Sequence, residues 1–236
     1  MSPFRFMRVL ALLFAAWMTL PAYGANFAFV QSKIENGTGA LAFTSNTTAG
    51  HAIVVVLFTF TLTGISDSQS NTFAPCATHV VVVVCTAVAI AGGADTVTVT
   101  GSANGYGSSS SMAIAEYSSI SSGYAFSAIY GGAGATGVSG GTFRTPTEAM
   151  AIVLGYNVYT CTTMTLAAGT IRSGQCMTLG EEGAFGDNDV ASVPGPGPYT
   201  NTMGNSNHPV MPSVIFMYLT ASTPTAFSQL FPITLQ

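Results

Sequence analysis

The apolar residues of this chain gather in short runs rich in Val, Ile, Thr, Tyr and Phe, separated by Gly, Ser, Asn and Pro. Eight runs predict strands: FAFVQSK, HAIVVVLFTFTLT, HVVVVVCTAVAI, DTVTVTG, SMAIAEYS, YAFSAIY, AMAIVLGYNVYT and PSVIFMYLTA. DTVTVT alternates, placing Val97 and Val99 on one face and threonines on the other. IVVVLF and VVVVV do not alternate, which predicts strands covered on both faces or central to a sandwich. Beyond the first 24 residues no stretch combines a 3.6-residue period with capping residues. The pattern predicts one all-β domain over residues 25–236, an antiparallel, jelly-roll-like β-sandwich. An outer-membrane barrel would alternate lipid-facing and lumen-facing residues throughout, and the longest apolar runs break that rule.

The first 24 residues read differently. Arg5 and Arg8 precede the apolar run Val9 to Leu20, and Ala22-Tyr23-Gly24 supplies small residues where a signal peptidase reads. The run is short for a bilayer span and right for the core of a signal peptide, so export is expected, with cleavage before Ala25. Three cations then remain, Lys33, Arg144 and Arg172, against nine carboxylates, a net charge of −6. Three cations cannot neutralise a run of phosphates, which argues against nucleic-acid binding and against anionic membrane surfaces. Charged residues are 6% of the chain, while Ser, Thr, Asn and Gly abound. The expected surface is polar and uncharged, with little like-charge repulsion to keep copies apart.

The four cysteines, Cys76, Cys85, Cys161 and Cys176, form an even set in a chain expected to be exported, so disulfides are the default. No C-x-x-C occurs and His51, His79 and His208 are scattered, which argues against zinc. Cys161 and Cys176 flank CTTMTLAAGTIRSGQC, and a hairpin turning at Ala168-Gly169 would set them opposite one another. Proximity favours Cys76–Cys85 for the other pair. There the chain is expected to reverse at Ala77-Thr78-His79, because nothing in the valine run favours a turn.

Several phrases, in order, carry a likeness: FVQS, TTAGHAIVVVL, ISDSQSNTF, AIAGGADTVTVT, AIAEYS and AMAIVLGY. Together they resemble an extracellular β-sandwich module of large bacterial surface proteins, often joined to immunoglobulin-like or fibronectin-like domains. The likeness covers roughly Phe27 to Ala221, and the four cysteines depart from it. It implies a fold and a location but no chemistry.

Several motifs could carry chemistry. YGGAGATGVSGGTF fits G-x-G-x-x-G through Gly132, Gly134 and Gly137, and G-x-S-x-G through Gly137, Ser139 and Gly141. Both motifs need a helix to start directly after them, and VSGGTFRTPTE leaves no room for one. Nucleotide binding and a Ser139–His208 hydrolase with Asp187 or Asp189 are therefore set aside in favour of a glycine-rich connection. GEEGAFGDNDV gathers Glu181, Glu182, Asp187 and Asp189, and is read as a solvated acidic turn. The alternative is a calcium site of Glu182, Asp187 and Asp189, without the full EF-hand loop. Glu116, alone among apolar residues in AIAEYS, is read as buried and hydrogen-bonded, the alternative being a glycosidase carboxylate partnered by Glu148.

Tyr106, Tyr124, Tyr130, Tyr156, Tyr159 and Tyr199 could stack on sugars, but the segment after residue 24 has no tryptophan. PGPGPYTN makes Tyr199, with Tyr156 and Tyr159, the first places to look for a ligand contact. Asn36 and Asn46 open glycosylation sequons, which matter only in a glycosylating host. The expectation from sequence is an exported structural, surface or adhesive protein without catalytic activity, forming homo-oligomers or filaments. A carbohydrate-binding module that meets a glycan or cell-surface partner is the alternative.

Overall fold

The computed structural model describes residues 28–37, 39–74, 76–79, 82–103, 110–118, 120–130, 137–139, 149–157, 165–166, 169–176, 182–190, 202–204 and 213–221. All secondary structure among them is β. The strands are β1 (Ala28–Asn36), β2 (Ala40–Ala42), β3 (Ala52–Phe58), β4 (Phe60–Asp67), β5 (Cys76–His79), β6 (Val82–Ala87), β7 (Thr96–Ala103) and β8 (Ser111–Ser118). They continue with β9 (Ile120–Tyr130), β10 (Gly137–Ser139), β11 (Ala149–Asn157), β12 (Thr165–Leu166), β13 (Thr170–Cys176), β14 (Glu182–Val190), β15 (Thr202–Gly204) and β16 (Ser213–Ala221). Every ladder is antiparallel.

Four sheets result. A central sheet runs β1-β8-β3-β6-β5, a small sheet β2-β7-β4, a far sheet β13-β14-β11-β16-β9, and a short sheet β10-β15-β12. The central sheet explains the unbroken valine runs. One face of it, carrying Val54, Val56, Val82, Val84, Ala113 and Ala115, packs on Met150, Ile152, Leu154 and Phe185 of the far sheet. Its other face, carrying Ile53, Val55, Leu57, Val83, Met112 and Ile114, packs on Leu41, Phe60, Val97 and Val99 near and within the small sheet. A strand apolar on both sides must be covered on both sides, and β3 and β6 are buried at every position. β7 alternates as its sequence predicts, with Val97 and Val99 buried and Thr98 and Thr100 exposed.

One segment departs from expectation. HAIVVVLFTFTLT is two strands, not one: Thr59, buried and at φ 53°, breaks the run, so that β3 belongs to the central sheet and β4 to the small one. The kink lets one continuous apolar run line two layers. Within CTTMTLAAGTIRSGQC, β12 pairs with β15 and β13 pairs with β14, while residues 161–164 and 167–168 lie outside the described residues. Cys176 ends β13, and Cys161 lies outside the described residues.

The other bridge is present. Cys76 and Cys85 are direct cross-strand partners on β5 and β6, with Cα atoms 4.2 Å apart, joined by a disulfide. The turn lies elsewhere than expected. Ala77, Thr78 and His79 pair in register with Val84, Val83 and Val82, so the chain does not reverse at Ala77-Thr78-His79. The ladder with β6, locked by the disulfide, holds those three residues extended.

Candidate functional site

Three carboxylates are buried among the described residues: Asp95, Glu116 and Asp187. Each is costly to desolvate, so each marks a place where donors have been brought to it.

Glu116 has no exposed surface and lies near the end of β8, opposite Gln31 of β1 and Ile53 of β3. The loop before β3 closes over it. His51 Nδ1 is 2.7 Å from Glu116 Oε1, the Thr48 backbone N–H donates to the same oxygen at 2.8 Å, and Gln31 Nε2 donates to Oε2 at 2.7 Å. Gln31 also holds the loop directly, accepting from Thr44 Oγ1 and the Ser45 N–H through Oε1. The loop is tied on its other side by a Thr47–Gly93 bridge and by Gly50 N–H donating to the Ile90 carbonyl.

The second carboxylate holds the next loop. Asp95 accepts from Ser68 Oγ at 3.2 Å, and Asp67 at the end of β4 accepts from the backbone N–H groups of Gln69 and Asn71. Asn71 Nδ2 donates to Asp67 Oδ2 at 2.7 Å, and Asn71 Oδ1 accepts from the Ala91 N–H. Burial, and then the charge of Asp67, hold the Asp95 carboxyl above its ordinary range. The loops at 44–51, 67–71 and 88–95 thus form one hydrogen-bonded assembly at one end of the central and small sheets.

The third carboxylate joins layers. Arg172 of β13 donates through Nε to Asp187 Oδ2 of β14 at 2.7 Å, and its guanidinium lies 4.2 Å from the ring centroid of Phe29 on β1. Phe29 meets Tyr117 of β8 edge-on, with centroids 5.8 Å apart. The Tyr117 hydroxyl makes no well-formed hydrogen bond. Burial, with the Asp187 charge next, pushes its pKa well above the ordinary value. Far sheet and central sheet are therefore stapled by a cation, two aromatic rings and a carboxylate. Ser32 Oγ of β1, donating to the Arg172 carbonyl, adds to the same seam.

Asp187 is therefore no part of a solvated turn: GEEGAFGDNDV is strand from Glu182 on, and the Asp187 carboxylate faces inward onto Arg172. The turn reading assumed that four clustered acids need water, whereas strand alternation sends Asp187 to the inner face. Glu182 and Asp189 stand on the same strand, and Glu181 lies outside the described residues. Among the described residues no three His, Cys, Asp or Glu gather as metal ligands. Ser139 stands on β10 in the short sheet, apart from the Glu116–His51 pair in the chain's other half. Glu148 and His208 lie outside the described residues, as do Tyr106, Tyr159 and Tyr199, while Tyr124 and Tyr130 fall on β9 and Tyr156 on β11. A cleft of about 130 Å³ beside Glu35, Asn36, Leu41 and Met112 is smaller than the ~300 Å³ at which ligand pockets begin.

No family, curated relative or solved structure matches this chain.

His51, Gln31 and the Asp67–Asp95 pair were not singled out from sequence. A histidine beside an apolar run signals nothing until Glu116 is seen to face it. ISDSQSN did carry a signal, since an aspartate followed by polar residues at a strand end is a common side-chain-to-backbone turn. A carboxylate on a histidine Nδ1 is also the geometry of a charge-relay pair. Here that same carboxylate anchors Thr48 and Gln31, so its geometry is that of a loop clamp.

Proposed function

We propose that the chain is an exported, non-catalytic structural or adhesive protein of the cell exterior that works by associating with copies of itself. The observation that carries this reading is the use made of the buried carboxylates. Glu116, Asp95 and Asp187 are each engaged by the protein's own loops or strands, and these groups serve rigidity. An oxidised cross-strand bridge fits an exported protein, because such bonds persist outside the reducing cytosol. The leader-like segment Met1 to Gly24 and the likeness to extracellular sandwich modules support the same location. Low charge density supports association, since few like charges hold copies apart.

The test is the state of the mature protein purified from its own culture medium. Higher oligomers or regular filaments in negative-stain images, in a protein bearing the Cys76–Cys85 bridge and starting near Ala25, are the expected result. A strictly monomeric protein, or one absent from the medium and retained in the cytosol, would sink the reading.

A further inference from the structure

We infer that the free edge of β5 is the surface through which two copies join, antiparallel, about a two-fold axis at Ala77. This rests on the self-association proposed above and names the strand responsible.

The inference starts from which backbone groups face outward. In an antiparallel ladder, opposed residues alternate between pairs that bond each other, about 5.5 Å apart at Cα, and closer pairs, about 4.5 Å, whose N–H and C=O point away. Cys76 and Cys85, at 4.2 Å, form a pair of the second kind. Ala77–Val84 is then bonded, Thr78–Val83 is not, and His79–Val82 is bonded. The N–H and C=O groups of Cys76 and Thr78 therefore point to the side where β5 has no ladder partner among the described residues.

Among the described residues that edge carries none of the usual protections of a sheet edge, namely charge, a bulge or a cover. β1, at the opposite edge of the central sheet, carries the Lys33–Glu35 ion pair and a bulge, and β13 lies against it. In the small sheet β4 has a bulge and Asp67, and β2 is only three residues long. β13 has a bulge and Arg172. β9 is also uncharged, but β10 contacts it. β5 carries no carboxylate, lysine or arginine, and Cys76 and Thr78 are exposed. The disulfide keeps this short strand from fraying away from β6. The partner that fits is a second copy. With Ala77 opposite Ala77 of the copy, Cys76 faces Thr78 in both directions, so each outward N–H meets a carbonyl and no charge is opposed.

The experiment compares the secreted full chain with Thr78→Lys and Thr78→Pro by sedimentation velocity over a range of concentrations. Lysine places a like charge on each side of the axis, and proline removes an outward N–H that β6 does not use. Both variants are expected to keep the melting temperature and the Cys76–Cys85 bridge while losing the associated species. Association unchanged in Thr78→Lys would overturn the inference and leave self-association standing. Loss in Ser127→Lys on β9 instead would overturn it in favour of that edge, and a monomeric unsubstituted protein would overturn both.

Discussion

A carboxylate without exposed surface is tolerated only where donors replace its water, and Glu116 has three, from His51, Thr48 and Gln31. Removing it strands those donors and releases the loop above. Glu116→Ala is expected to cost about 3 kcal/mol, read as a lower urea midpoint at unchanged slope. A loss under about 0.5 kcal/mol would mean that water replaces the carboxylate at no cost. Asp95 makes the opposite case. Its carboxyl is held above the ordinary value, so the folded state binds the proton more tightly than the unfolded chain. The stability this gives is present in full below the ordinary carboxylate range and is lost as pH rises through the raised folded value. Asp95→Asn, which carries no charge at any pH, should gain on the unsubstituted protein as pH climbs from about 3 to about 7. Melting temperatures of the two proteins at several pH values give the answer, and a constant difference would refute the assignment. The burial of Glu116 could be read from one charge among apolar residues. Its partners could not, because they meet it only in space, 65 and 85 residues away.

At the scale of elements, period and composition told more than pairing. SMAIAEYS is β8 to the residue, and DTVTVT places its valines inward, because alternation is a local property of the chain. The kink at Thr59 was hidden, since FTFTLT continues the apolar run of β3 without any turn residue. Which strand β12 and β13 would choose was hidden too, because ladder partners are settled by distant segments. The loops joining strands depend on one close approach. Gly92 sits at φ 77°, and a Cβ there would lie 2.4 Å from the Ala49 backbone nitrogen. Gly92→Ala should therefore part the 44–51 and 88–95 loops and cost about 2–3 kcal/mol, from positive φ and overlap together. Faster hydrogen exchange at Gly50 and Ile90, whose N–H groups cross that contact, would locate the damage. An unchanged pattern would place it elsewhere.

For the whole molecule the question is what holds three layers in register. Apolar contact supplies the attraction, but it is non-directional and tolerates sliding. The Arg172–Asp187–Phe29–Tyr117 staple supplies direction between the far and central sheets. Arg172→Met should cost about 3 kcal/mol, because Asp187 is left buried and alone, and adding Asp187→Leu should restore most of it. A double-mutant cycle with no coupling would show the pair to be independent.

The central sheet also fixes how long the chain must wait. β3 lies between β6 and β8, and one of its faces packs on side chains of β11 and β14, between Ala149 and Val190. That face, with Val54 and Val56, lacks these partners until most of the polypeptide is present. Contacts so far apart in sequence place folding on the order of milliseconds to seconds, slow beside a helical protein of similar size. Under the proposed export such slowness is an advantage, because a late-closing core keeps the chain threadable.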